Sequence, residues 1–356
     1  LLLFLAFLGC REDDPDEPTV GAYASGVFLC AEGVFNQSSG TVHHYAPATR
    51  QLSAAGGCIF RAANGRDLGN VVQSLVVDSA YVYVVVNNGD KIEVVRRSDW
   101  REEGQILGLE FPRYACVVGD SLLVVSQWGS DGYSGELRAY RLPARTLAWS
   151  LGVPQGAERM ASVGSRVWLS HVGGYAPAEN KLSIVDAATG TAVQTLTLSY
   201  ENSNSLYYDA QRNWVWVLCA GRTVYSNYPD IDTAASTSAA LLAYDAADYS
   251  LQRSVELGIG EQANNLHVYG QQAYWLMRGG VYAAPLSNAT QASDVAQLLT
   301  GNFYGLGLDG ERGELYASRN RGINTARTLR YSLQQAAVID SIEAGVFVNG
   351  SYVLGD

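Results

Sequence analysis

Trp214-Val215-Trp216-Val217-Leu218 is a short, wholly apolar run of aromatic and aliphatic residues, the composition of a strand. Six other runs share its character: Gly26-Val27-Phe28-Leu29-Cys30, Tyr81-Val82-Tyr83-Val84-Val85-Val86, Ser121-Leu122-Leu123-Val124-Val125, Arg166-Val167-Trp168-Leu169-Ser170, Ala273-Tyr274-Trp275-Leu276-Met277 and Glu314-Leu315-Tyr316-Ala317-Ser318. Neighbouring runs are spaced by about 40 to about 58 residues, a period that suits four strands per β-propeller blade.

Other strands surround each run. One leads in, as in Tyr114-Ala115-Cys116-Val117-Val118-Gly119-Asp120 and Leu266-His267-Val268-Tyr269-Gly270. Another follows and runs into a turn, as in Val42 to Thr49, in Leu182-Ser183-Ile184-Val185-Asp186-Ala187-Ala188-Thr189-Gly190 and in Leu241 to Asp248. Asp can cap the turn's backbone donors and Gly supplies positive φ. A weaker outer strand completes the unit, as in Ala192 to Leu198. The chain enters at the second strand of the first unit, so the tail Val346 to Leu354 is expected to supply the missing inner strand and reduce exposed edges. The expected fold is all-β, a seven-bladed β-propeller with four-stranded antiparallel blades, spanning residues 23–356.

Bulk composition agrees. Of 356 residues 47% are hydrophobic and 17% charged, with 22 Tyr, 37 Gly and 2 Met. That suits a packed β domain better than a disordered chain, and no long stretch has convincing helical periodicity. The net charge of −11 argues against nucleic acid, which needs a basic face.

Residues 1–10 read as the remnant of an export signal. Leu1 to Leu8 are apolar, too few to span a bilayer, which takes about 20, but fit for a signal core. Gly9-Cys10 after them resembles a bacterial lipobox, despite Phe7 where Leu is usual, which marks Cys10 for lipidation. Residues 11–22 open with the charged, Pro-bearing Arg11 to Pro18, a solvated tether. Cys30, Cys58, Cys116 and Cys219 have no metal-site spacing and are expected as buried thiols.

Three motifs invite chemistry and are better read as structure. Gly305-Leu306-Gly307-Leu308-Asp309-Gly310 fits G-x-G-x-x-G, but a strand follows where a dinucleotide site needs a helix. His43-His44 are adjacent on a strand and so face apart; no metal site is expected. Ser170-His171 lack a nucleophile elbow. No placed nucleophile, base and orienting acid is found, so the chain reads as a binder, not an enzyme.

A polar constellation collects where second strands end and inner strands begin, which antiparallel blades place on one face. The second-strand ends carry Asn87, Asn88, Trp128, His171, Arg278, Arg319 and Asn320, with Tyr133, Tyr175, Tyr225 and Tyr228 in loops beyond. The approaches to the inner strands carry Asn70, Arg113, Arg159, Asn204, Asn264, Phe303 and Tyr304, with Glu158 as a lone acid. Amides, arginines and aromatics suit recognition of a polar, partly flat ligand.

Ala62 to Asn70 with Gln73-Ser74, then Tyr83 to Val95, together with Glu32-Gly33-Val34-Phe35-Asn36 and Ser183 to Gly190, resemble the YncE-like, DUF5074-type propeller lipoproteins of Bacteroidetes. The resemblance implies a lipid-anchored protein at the cell surface on the outer membrane. Through relatives that capture cobalamin it implies a corrinoid as cargo and a TonB-dependent transporter as partner. Two other functions stay open: a scaffold binding a partner protein or glycan, and a lactonase-like propeller hydrolase, which would need an acidic central metal site.

Overall fold

The computed structural model describes residues 21, 23–53, 57–175, 177–287 and 290–355. Cys10 and, apart from Gly21, the whole expected tether lie outside the described residues. The apolar runs form the strands Gly26–Ala31, Tyr81–Val86, Leu122–Gln127, Arg166–His171, Trp214–Cys219, Gln272–Met277 and Glu314–Arg321. Both faces of such a strand are covered by neighbouring sheets. Val82, Val84 and Val86 pack with Phe28 and Trp100, while Tyr83 and Val85 pack with Leu123 and Val125. That is why these strands read as continuous apolar runs rather than alternating ones. The outermost strands are solvated, as in Thr191–Thr197, which explains their faint signal in sequence.

Five sheets have four strands each, and in four of them the strands are consecutive in the chain from inner to outer. One runs Val72–Val77, Tyr81–Val86, Lys91–Arg96 and Glu102–Leu107. A small ribbon, Tyr225–Asn227 with Asp230–Ile231, is inserted between Trp214–Cys219 and Ser238–Asp245. The turns carry the expected chemistry: Asp186 Oδ1 accepts from the amides of Ala188 and Thr189 at 3.1 and 2.9 Å, and Gly190 has φ 68°. A short helix, Ile59–Asn64, was not anticipated; Ile59 and Phe60 bury it in the core.

Hydrogen bonds tie neighbouring sheets into a ring. Asn349 Nδ2 donates to the Gln73 carbonyl at 2.9 Å, Ser74 Oγ to that of Arg113 at 2.8 Å and Ser126 Oγ to that of Glu158 at 2.6 Å. The His171 amide donates to Ser203 Oγ at 3.0 Å, and Asn204 Nδ2 to the Ala263 carbonyl at 2.7 Å. Asn265 Nδ2 reaches the Tyr304 carbonyl at 3.4 Å. The fold is a β-propeller.

The ring closes in an eight-stranded sheet. Val348–Leu354 pairs antiparallel with Gly26–Ala31 and meets Gly305–Asp309 through a parallel bridge, Leu306 opposite Gly350. Here the G-x-G motif finds its purpose. A Cβ on Gly305 would strike the Val348 carbonyl oxygen, and one on Gly307 that of Ser351. The glycines let two inner strands approach more closely than side chains allow. The first and last described residues lie at the opposite face: the Gly21 amide donates to the Ser98 carbonyl at 3.1 Å, and Arg97 donates to the carbonyls of Ala24 and Gly355.

Candidate ligand-binding face

A repeated backbone bend aims side chains at the ring's axis. Val71, Phe111, Gly156, Asn202, Gln262 and Phe347 all have left-handed φ, between 48° and 63°. Two residues after each stand Gln73, Arg113, Glu158, Asn204, Asn264 and Asn349, and all six line one central cavity. In five cases the bent residue's carbonyl is satisfied by the amide just beyond a second strand: Asn87 to Val71 at 2.8 Å, Trp128 to Phe111 at 3.2 Å, Val172 to Gly156 at 2.9 Å, Ala220 to Asn202 at 3.0 Å and Glu32 to Phe347 at 3.0 Å. Left-handed Val and Phe are costly, of order 1–3 kcal/mol each, and such strain concentrates at functional sites.

The cavity has a volume of ≈ 190 Å³ and is also lined by Glu32, Tyr114, Arg159, Asn265 and Tyr304. Arg113 grips Glu158 with both arms, Nε to Oε2 at 3.0 Å and Nη2 to Oε1 at 2.9 Å. Its Nη1 donates to Gln73 Oε1 at 2.7 Å, and its guanidinium lies 4.0 Å from the centre of the Trp128 ring. Arg159 stacks on Tyr114 at 4.8 Å and donates to Tyr114 Oη at 3.1 Å and to Asn265 Oδ1. Glu32 accepts from Tyr304 Oη at 2.9 Å and Asn349 Nδ2 at 3.0 Å. Burial raises the Glu32 carboxyl above its ordinary value, against the pull of those two hydrogen bonds and of Arg113. Asn349 Oδ1 is buried without a hydrogen-bond partner among the described residues.

Of the residues expected at the rim, Arg113, Arg159, Asn204, Asn264 and Tyr304 meet in this cavity. Asn264 also borders an adjoining groove of ≈ 440 Å³ lined by Tyr225, Tyr228, Arg278 and Phe303. Trp128 lies under Arg113 and edge-on to Tyr175, 5.6 Å away; Tyr133 and Tyr175 are exposed. Asn70 and Asn88 cluster on a loop residue, both donating through Nδ2 to Asn36 Oδ1, at 3.2 and 2.9 Å. Arg319 covers the Phe303 ring at 4.6 Å and donates to the Thr300 carbonyl at 2.7 Å, while Asn320 Oδ1 is buried without a hydrogen-bond partner among the described residues.

Two expected residues play other parts. Asn87 is buried and donates to the Pro112 carbonyl at 3.0 Å, joining adjacent sheets. His171 is fully buried, its Nε2 2.9 Å from Ser183 Oγ and its Nδ1 3.3 Å from the Gln155 carbonyl. Burial holds this imidazole down to about 4. Glu158 shares the cavity with a second acid, Glu32, which follows the second strand Gly26–Ala31. Asn265, beside Asn264 at the approach to an inner strand, also lines the cavity; Gln73, Tyr114, Asn349 and Glu32 were missed as site residues. The bent residues Val71, Phe111, Gly156, Asn202, Gln262 and Phe347 share no residue type, so the bend that aims Gln73 and Asn349 shows only in the structure.

His43 and His44 part as adjacent strand residues do. His43 Nε2 pairs with Thr41 Oγ1 at 2.9 Å, and His44 with Ser53 Oγ at 2.8 Å and the Ser25 carbonyl at 2.7 Å. Among the described residues no group of three or more His, Cys, Asp or Glu is placed to hold a metal ion. Cys30, Cys58, Cys116 and Cys219 are free thiols.

No family model and no curated protein sequence matches the chain. Several solved structures do. A quinonprotein alcohol dehydrogenase-like protein from Bacteroides thetaiotaomicron is similar with a TM-score of 0.64 at 14% identity, over 93% of this chain and 77% of that one. A functionally unknown protein from Desulfotomaculum acetoxidans gives 0.63 at 11% identity, over 92% and 98%. Hydrazine synthase from Kuenenia stuttgartiensis gives 0.60 at 13% identity, over 78% and 89%. At these identities the likeness is one of fold, and the fold they share with this chain is the β-propeller.

Proposed function

We propose that the chain is a non-enzymatic, ligand-binding surface lipoprotein on a seven-bladed propeller. In this reading the eight-stranded sheet is two blades joined at Leu306 and Gly350, and a lipid on Cys10 anchors the domain to the outer membrane. The cargo is cobalamin or a related corrinoid, handed to a TonB-dependent transporter. The supporting observation is the polar face itself: a central cavity of amides, arginines and tyrosines opening beside an aromatic groove. Arg113 neutralises Glu158 and hydrogen bonds occupy Glu32, so neither acid is placed as a free catalytic base. A corrinoid is a wide disc fringed with amides. It is too large for a cavity of ≈ 190 Å³ and would lie across the face, against Tyr225, Tyr228 and Arg278 in the groove.

Titration of cyanocobalamin into the purified protein, followed by calorimetry and thermal shift, tests this reading. Saturable binding that weakens in Tyr228→Ala is the expected result. Absence of heat and of any shift at saturating ligand rejects the corrinoid. A second reading, glycan or protein recognition, draws on Tyr175 and Tyr228, which are 71% and 83% exposed. Glycan-array binding lost in both tyrosine variants would favour it.

A further inference from the structure

Two guanidinium groups line the central cavity, and they are partnered differently. Arg113 is spent on Glu158. Arg159 touches only neutral groups among the described residues, the Tyr114 hydroxyl and the Asn265 amide oxygen. We infer that the central cavity is a subsite for an anionic oxygen group, a carboxylate or phosphate ester carried by the ligand, held by Arg159. The inference rests on the reading of this face as ligand-binding and adds what part of the ligand enters it.

Position and chemistry both support the assignment. Arg159 follows Glu158 at the start of strand Ala157–Val163, just after the bend at Gly156. The Tyr114 ring beneath it and the two hydrogen bonds set the plane of its guanidinium. Arginine has five N–H donors, and only Nη2 is engaged by protein among the described residues. The Tyr114 hydroxyl accepts from Arg159, which leaves its own hydrogen to donate. Asn204 and Asn264 each direct Nδ2 to a backbone carbonyl and retain a second amide hydrogen. These donors favour an oxyanion, and charge-assisted bonds in a confined site are stronger than their neutral counterparts.

Charge bookkeeping points the same way. Burial opposes the charge of Arg159, yet its neighbours, Glu158 the charged one among them, raise the guanidinium above its ordinary value. Half-buried His267 has its imidazole held down to about 4, first by desolvation and then by Arg159. The cavity volume of ≈ 190 Å³ suits such a group with a few waters, leaving the rest of the ligand on the face.

The test uses inorganic phosphate and acetate in separate calorimetric titrations of the full chain, with phosphorus NMR line width as a second readout for phosphate. One saturable site is expected. Arg159→Met should weaken it at least about tenfold, the scale of one lost charge-assisted contact, Arg159→Lys should restore part, and Arg141→Met, at the exposed end of strand Gly135–Arg141, should leave it unchanged. Should Arg159→Met fail to fold, Tyr114→Phe removes one donor and should lower affinity severalfold. Binding of phosphate alone identifies a phosphate ester, and of acetate alone a carboxylate. Failure of the wild-type chain to bind either anion saturably overturns the inference, as does binding unaffected by both Arg159→Met and Tyr114→Phe. Cobalamin binding without anion binding would sink this subsite and spare the proposed function, whereas anion binding without cobalamin binding would do the reverse.

Discussion

Arg113 and Glu158, separated by 45 positions in sequence, form a two-armed ion pair at 2.9 and 3.0 Å that joins neighbouring inner strands. Their side chains are 16% and 8% exposed, so neither charge is well hydrated. Arg113→Met should cost roughly 3–5 kcal/mol in urea unfolding, because it strands a buried carboxylate. Arg113→Met with Glu158→Gln should recover part of that loss. A single-variant loss below about 1 kcal/mol would instead be the behaviour of a solvated surface pair.

Two glycines of one short motif should respond differently. Gly307→Ala drives a Cβ into the Ser351 carbonyl oxygen and should destabilise by about 1–3 kcal/mol or more, since backbone must move. Gly310→Ala meets nothing nearer than the Tyr269 ring at 3.8 Å and should be close to neutral. Equal melting temperatures for the two variants would refute close strand approach as the reason for the motif.

Removing residues 346–356 deletes the strand that pairs with Gly26–Ala31 and bridges to Leu306. The whole domain, not just its last blade, should lose cooperative thermal unfolding. A truncated chain that melts like the full one would mean that the ring does not depend on this strand.

Acid should destabilise the fold through its histidines. Burial holds His43, His171 and His267 down to about 4 from an ordinary 6.5. Between those values the unfolded chain binds more protons than the folded one, so stability rises with pH across the window and falls on acidification. Urea unfolding at about pH 7 and about pH 4.5 should show the loss. His171→Gln, which can still bond Ser183, should make the fall shallower. A stability that is flat over this range would contradict the buried neutral state.

The strands were legible because burial on both faces makes Tyr81–Val86 and Trp214–Cys219 uninterrupted in sequence. The tail's role was legible from the missing inner strand. The site was legible only in part. Arg113, Arg159, Asn204, Asn264 and Tyr304 were found from position, but Glu32 and Asn349 belong to a sheet assembled from the two ends of the chain, and no local pattern links them. Gln73 was hidden by its bend. A left-handed residue is expected to be Gly or Asn, and Val71 and Phe111 give no such sign. His171 misled because its strand runs two residues further than its apolar core Val167–Leu169, which buries the imidazole under the rim instead of on it.

The tie of Arg97 to Ala24 and Gly355 fixes both of these at the back of the ring, where the turns around Ser79 and Ser98 lie. The proposed leash ahead of Gly21 would therefore start from behind the ring. In the proposed lipoprotein the cavity mouth would look away from the point of attachment, and cargo would arrive from open solvent. Delivery to a transporter in the same membrane would require the domain to turn over on its leash, so tether length, rather than affinity alone, would govern hand-over.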